Sequence, residues 1–257
     1  MHRFFVSPAQ LAEDEGELSG ELHHQLTRVL RLAAGEEILL LDGAGLGCRC
    51  RIETLTKNVI RFRVLARARE AEPAFAVRLI QGLPKADKMD LILQKGTELG
   101  VAAFTPLEAG RSVPRLDEAR RLARGRRWEK VVLEAARQCR RSYLPRLAAP
   151  CCLPEALVGD EELRLVLWEE ESRPLAEVLP AVAPHGAAVL VGPEGGLEAR
   201  EVEAARAAGF IPVAFGPRIL RTETAGFAVI AILQYLYGDL GPAGKADLPA
   251  PSSKEST

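Results

Sequence analysis

The sequence predicts an α/β fold, a parallel sheet with helices on both faces, preceded by a small all-β module. Three observations predict it. Between residues 36 and 66, three short segments follow one another, separated by turns rich in glycine and polar residues, the pattern of an antiparallel meander. From Phe75 the rhythm changes to strand, helix, strand, helix, which calls for crossover connections and therefore parallel strands. A length of 257 residues is enough for one large domain or a small one joined to a medium one.

The N-terminal module opens with a strand in "RFFV". An amphipathic helix is expected around residues 19–32, with Leu22, Leu26, Val29 and Leu30 on one face. The strands of the meander are "EEILLLDG", "CRCRIETL" and "NVIRFRVLA", divided by "DGAGLG" and "TKN". Arg3, His23, His24, Arg28 and Arg31 lie on the first strand or the helix. "REAEPA", residues 69–74, reads as a linker, giving a domain over 1–70 and a second over 75–240.

In the second domain, strands are expected near 75–81, 101–105, 163–168, 187–191 and 211–215. Helices are expected near 87–99, 116–141, 199–208 and 225–237. In open α/β sheets, ligands bind beyond the carboxyl ends of the strands. Residues 241–257, "GPAGKADLPAPSSKEST", have the composition of a disordered tail.

Composition narrows the function. The chain is 47% apolar with a formal net charge of −1, and no stretch reaches the roughly 18 uninterrupted apolar residues of a membrane span. "MHRFFVSPAQ" has no apolar h-region and no small-residue cleavage site, so a cytoplasmic protein is expected. Five cysteines, an odd number, lack the paired spacings of structural zinc, and four histidines make a histidine metal site improbable. No metal is expected. Charge is unevenly spread: residues 111–146 hold twelve Lys/Arg against four acids, an electrostatic footprint for a polyanion.

Three stretches carry the chemistry. "AAVLVGPEGGLEAREVEAARAAG" is a buried strand, a glycine-rich turn and a helix closed by Gly209. Its turn, 192–196, is neither a P-loop nor the G-x-G-x-x-G of a dinucleotide fold. With Glu194, Glu198 and Glu201 nearby it suits a ligand without phosphate, approached closely by backbone where only glycine leaves room. "GPRILRTETAGFA", 216–228, repeats this arrangement after the last strand. Thr222 or Thr224 can cap the helix that follows, and a helix apolar all round is expected to be buried. Arg218 and Arg221, just ahead of it, must then be paired or face a ligand. Finally, "GLPKADKMDLILQKGTELGVAAFTPLEAGRS" places Lys85, Lys88 and Lys95 around a helix and Arg111 beyond the following strand.

"LPKADKMDLILQKGTELGV", "RWEKVVLEAARQC", "LVGPEGG" and "FGPRILRTETA", in that order behind "MHRFFV", closely resemble the ribosomal small-subunit RNA methyltransferase E family. These are knotted methyltransferases of the SPOUT class that make 3-methyluridine in 16S rRNA. The resemblance runs from residue 1 to about 240 of the sequence. It implies a PUA-like RNA-binding barrel, an α/β domain whose last part threads a trefoil knot, and a homodimer meeting through the helix 225–237. It also implies S-adenosylmethionine as methyl donor, held by three knot loops. The residues this assigns to donor binding are Trp168, Gly192, Pro193, Gly195, Gly196, Phe215, Gly216, Ile219, Leu220, Thr224 and Ala225.

For methyl transfer to uracil N3, electrostatic preorganisation predicts that Arg221 stabilises charge on O2 or O4 of the uracilate, with Glu223 or Glu194 accepting the N3 proton. Arg3, His23, His24, Arg28, Arg31, Lys85, Lys88, Lys95, Arg111 and Gln138 would meet the 16S rRNA, presented either free or within the small ribosomal subunit. Departures from the family pattern are Gly110, where an acid is common, Cys139-Arg140 in place of Ser-Gly, and Phe215 in place of Leu. A second reading is a non-catalytic RNA-binding assembly factor, which needs the barrel and the basic segment but no donor pocket. A nucleotide-dependent enzyme of ordinary doubly wound fold would need a phosphate loop, and none is present.

Overall fold

Alternation of apolar and polar residues builds the N-terminal sheet. In the computed structural model, which describes residues 1–113, 117–170, 172–214 and 216–241, its elements are β1 (His2–Phe5), β2 (Glu15–Ser19), α1 (Gly20–His24), β3 (Glu37–Leu41), β4 (Leu46–Leu55) and β5 (Val59–Arg69). They form a five-stranded sheet of order β1-β3-β4-β5-β2. β3, β4 and β5 pair antiparallel as the meander predicts, while β1 runs parallel to β3. β2, absent from the sequence reading, pairs antiparallel with β5. Ile38, Leu40, Cys48, Cys50, Ile52, Ile60 and Phe62 point to a common core with Leu18 and Leu26.

The expected helix over 19–32 forms only in part. α1 passes into a wider π-helical turn over Gln25–Val29, in which Leu30 N–H donates five residues back to Gln25 O. The wider turn changes the facing of the residues it contains. Leu26 is buried, but Val29, expected on the same face, is 64% exposed.

The chain divides into two units that are not contiguous in sequence: Met1–Glu72 with Leu133–Leu144, and the remainder. Within the first unit, the turn glycines Gly43 and Gly45, at φ +77° and +91°, leave room for Leu144 and Tyr143. Ala44 bridges to Tyr143, and Arg3 donates to Ser142 Oγ at 3.1 Å.

The second unit begins with β6 (Ala76–Gly82), α2 (Lys88–Glu98), β7 (Val101–Leu107), α3 (Glu118–Gln138, of which the part from Leu133 belongs to the first unit), β8 (Arg146–Leu147), α4 (Leu153–Ala156) and β9 (Leu163–Leu167). It continues with β10 (Arg173–Pro174), α5 (Leu175–Val178), β11 (Gly186–Val191), α6 (Ala199–Ala207), β12 (Ile211–Ala214) and α7 (Thr222–Tyr237). The sheet has order β10-β12-β9-β11-β6-β7-β8, and every pairing is parallel. β11 is buried along its whole length, as a strand covered on both faces must be. Its odd-numbered side chains, with Val77, Leu79, Leu163 and Leu165, pack under α2, α7 and Trp128 of α3. Ala188 and Leu190, with Ile80 and Val166, pack under Val202 and Ala205 of α6.

α7 is not buried all round. Gly226, Val229, Ile230, Leu233 and Gln234 are buried on one stripe, spaced three or four residues apart as an inward helix face requires, while Tyr235 is 57% exposed. Among the described residues, no helix is long and apolar enough to cross a membrane and no cluster of His, Cys, Asp or Glu could hold a metal ion. The expected tail beyond residue 241 lies outside the described residues.

Candidate active site

β9, β11 and β12 are neighbours in the sheet and end on the same side, so the segments that follow them converge. They enclose a cavity of about 610 Å³, within the roughly 300–1,000 Å³ range of small-molecule sites. Leu167 and Trp168 line it after β9, residues 191–194 with Gly196 and Leu197 after β11, and residues 216–222 with Ala225 after β12. Lys88, at the start of α2, completes the wall. Of the residues assigned to donor binding, Trp168, Gly192, Pro193, Gly196, Gly216, Ile219, Leu220 and Ala225 come together here. Gly195 and Thr224 do not line the cavity. Phe215 lies outside the described residues.

Backbone shape explains the glycines. Gly196 and Gly216 have φ of +71° and +69°, where an L side chain is strained. A Cβ on Gly192 would stand 3.0 Å from Leu197 N, so the turn closes tightly over 192–197, and Gly196 N–H donates to Pro193 O at 2.9 Å. α6 then starts at a capping box. Glu198 N–H donates to Glu201 Oε2 at 2.8 Å, and Gly110 N–H donates to Glu201 Oε1 at 2.9 Å. Arg111 closes the circuit by donating from Nη1 to Gly195 O at 3.0 Å. A Cβ at Gly110 would come within 2.7 Å of Glu198 Oε1.

The charged groups arrange differently from the sequence expectation. Lys88 was expected to face RNA; its Nζ instead sits 3.1 Å from Glu194 and 3.5 Å from Glu223, joining the two candidate proton acceptors. Lys85 precedes α2 rather than lying on it, and its backbone N–H donates to both Glu194 oxygens. Lys95 is taken up by Glu98, one turn along the helix, at 2.9 Å. Burial alone would push the Glu194 carboxyl up. The backbone N–H groups of Glu194 and Lys85 and the Lys88 ammonium outweigh that and hold it below its ordinary value, which weakens Glu194 as a base.

Arg218 and Arg221 are exposed and line the cavity, the second of the two alternatives, paired or facing a ligand, that the sequence left open. The chain enters α7 from the surface, so both guanidinium groups are open to solvent. Neither threonine caps α7. Arg221 occupies the N-cap position without a side-chain cap bond, and Thr222 turns inward to donate to Gly192 O at 2.5 Å. Thr224 is exposed.

Among the other residues expected to face RNA, His23 Nε2 lies 3.1 Å from Thr56 O and Arg3 is half-buried against Ser142. His24, Arg28, Arg31 and Gln138 are exposed. Many arginines of β4 and β5 are instead engaged by Glu15, Glu17, Glu37, Glu53 and Asp14.

Two residues that back the site without lining the cavity escaped the sequence reading, Gln81 and Gly82 at the carboxyl end of β6. A Cβ on Gly82 would stand 2.5 Å from Pro193 Cδ and 2.6 Å from Pro193 N, so the strand end is pressed against the glycine-rich turn. The signal was a lone glutamine in the otherwise apolar run "LIQGL".

A parallel α/β unit with a cavity at its strand ends, in a chain that also carries a small sheet module, has the architecture of an α/β enzyme with an added binding module. The family model described as an RNA methyltransferase domain matches residues 71–234, and one described as an RNA methyltransferase PUA domain matches residues 20–65. The chain belongs to the ribosomal RNA small subunit methyltransferase E family. It is 32% identical to the Bacillus subtilis member over 91% of this chain and 96% of that one. With the Mycobacterium bovis member it shares 34% identity over 85% and 86%. The solved Neisseria gonorrhoeae member, bound to S-adenosyl methionine, superposes with a TM-score of 0.82 at 31% identity, covering 93% of this chain and 98% of that chain. A Legionella pneumophila structure in complex with the bound cofactor SAM gives 0.85 at 30% identity, covering 93% and 98%.

Proposed function

We propose that this chain transfers a methyl group from S-adenosylmethionine to N3 of a uridine in small-subunit ribosomal RNA. The observation that carries this reading is the cavity at the ends of β9, β11 and β12, built by the segments expected to hold the donor. Its chemistry fits such a ligand: tight glycine backbone on one side, Trp168 and Leu220 on others, and the acidic residues Glu169 and Glu194 in the wall, with Glu223 just behind it on Lys88. Trp168, Gly192, Pro193, Gly196, Gly216, Ile219, Leu220 and Ala225 would hold it, with Gly195, Phe215 and Thr224 contributing from the same segments. The donor supplies a methyl group on an electron-deficient sulfur.

In-line displacement forms the N3–carbon bond as the carbon–sulfur bond breaks, the electron pair returning to sulfur and the N3 proton leaving to a base. N3 is paired in a helix, so the target must be unpaired or flipped. Arg221, exposed at the cavity wall, would orient the base and stabilise negative charge on O2 or O4. Glu223 is the favoured proton acceptor, since Glu194 is held in its ionised, weakly basic form by its hydrogen bonds. Alignment of the reacting atoms is worth about 7–11 kcal/mol in the best intramolecular cases.

Arg28, Arg31, His24, Lys85, Arg111 and Gln138 would track 16S rRNA, helped by the Arg-rich α3. The same reading has the last part of the second unit threaded as a trefoil knot, two copies meeting through α7, and a cytoplasmic location. The exposed Ile219, Tyr235 and Leu240 support such a meeting surface.

Mass spectrometric mapping of 16S rRNA from cells lacking the protein should show one unmethylated uridine, restored in vitro by the purified chain and S-adenosylmethionine. An unchanged methylation map overturns the reading. Arg221→Ala should abolish turnover while donor binding, measured by calorimetry, persists; retained activity would make Arg221 merely structural.

A further inference from the structure

β6 is almost wholly buried and apolar in its core-facing positions until its carboxyl end, where Gln81 is 1% exposed. Gln81 Nε2 donates to Gly82 O at 3.0 Å and to Thr222 Oγ1 at 2.9 Å, and lies 3.5 Å from Gly192 O. Thr222, 7% exposed, donates its hydroxyl proton to Gly192 O at 2.5 Å. A hydroxyl has one proton, so with that proton on Gly192 it can only accept from Gln81. The direction of the chain of hydrogen bonds is therefore determined.

Gln81 Oε1, by contrast, has no hydrogen-bond partner among the described residues. Exchanging oxygen and nitrogen would set the oxygen against the carbonyls of Gly82 and Gly192. A buried amide left half satisfied costs stability, so a leucine would serve the core at least as well. What the glutamine retains is a connection between three elements. Gly192 opens the glycine-rich turn, Thr222 directly follows Arg221, and Gln81 itself does not line the cavity.

Resting on the methyltransferase reading, we propose that Gln81 is a positioning residue. Through Thr222 it locks the Gly192 turn to the first turn of α7, so that the turn contacting the donor also sets the place of Arg221.

The test uses the purified full chain as wild type, Gln81→Leu, Thr222→Val, the double variant and Thr222→Ser. S-adenosylmethionine affinity is read by calorimetry, methyl transfer as KM and kcat, and stability by thermal unfolding. Each of Gln81→Leu and Thr222→Val should lose about tenfold or more in donor affinity, and the double variant no more than the worse single one, because both break the same chain. Thr222→Ser keeps the hydroxyl and should stay within about threefold of wild type. Gln81→Leu should unfold no earlier than wild type; should it fail to fold, the two Thr222 variants decide alone. Losses that add, or affinities unchanged in Gln81→Leu and Thr222→Val, overturn the proposal. A wild-type chain that binds no S-adenosylmethionine overturns the methyltransferase reading and this inference with it, whereas normal wild-type binding undiminished in the variants overturns the inference alone.

Discussion

Lys88 lies between Glu194 and Glu223, and its ammonium is held above its ordinary pKa, first by the hydrogen bond to Glu194. Glu194 is shifted the other way. A carboxyl with a lowered folded pKa stabilises the fold above its unfolded pKa, and that contribution is lost as pH falls through the folded one. A lysine with a raised folded pKa contributes below its unfolded value and loses that only as pH rises through the folded one. Both contributions are therefore in force at neutral pH, and the carboxylate's is lost in acid. Below about pH 4.5, the ordinary glutamate value, stability of the wild type should fall more steeply than that of Glu194→Gln in pH-resolved denaturant unfolding. Parallel curves would show that Glu194 is not held this way. None of this pairing could be read from the sequence, because Lys88, Glu194 and Glu223 are separated by more than a hundred residues or sit on different elements. The same distance hid Gln81, whose partner Thr222 had a plausible local use as a cap.

At the scale of elements, periodicity located the five long strands and the four long helices of the second unit to within a few residues. The short strands β8 and β10 left no such signal, having two residues each. α3 contains a glycine at its middle, Gly125, where a Cβ would meet no heavy atom within 4 Å. Glycine in a helix interior costs about 1 kcal/mol relative to alanine, and nothing packed against Gly125 requires it. Gly125→Ala should therefore raise unfolding free energy by about 0.5–1 kcal/mol, measured in urea. A loss of stability instead would show that the helix depends on the glycine. α1 is the contrary case, because the wider turn at its end moved Val29 off the face that a regular 3.6-residue period assigns to it.

For the whole molecule, the proposed pairing of two copies rests on the outer face of α7. Its inner stripe is occupied by the sheet and α2, while Tyr235 is 57% and the following Leu240 46% exposed. Apolar surface of this kind gains free energy when covered, roughly 25 cal/mol per Å² removed from water. Sedimentation should find a homodimer, with Tyr235→Glu shifting it toward monomer; a stable, fully active wild-type monomer would remove the dimer from the proposed function.

The sequence by itself determined the class of both units, the longer elements of the second unit, the glycine-rich turn and the family, because these rest on local periodicity, turn chemistry and motifs in fixed order. Only the tertiary structure decided which charges meet. It drew Lys88 onto two carboxylates, left Arg218 and Arg221 in water, and turned Thr222 from a cap into a link between β6 and Gly192. The physical reason is that side-chain pairing depends on distances between elements, and a parallel sheet brings together strand ends that lie far apart along the chain.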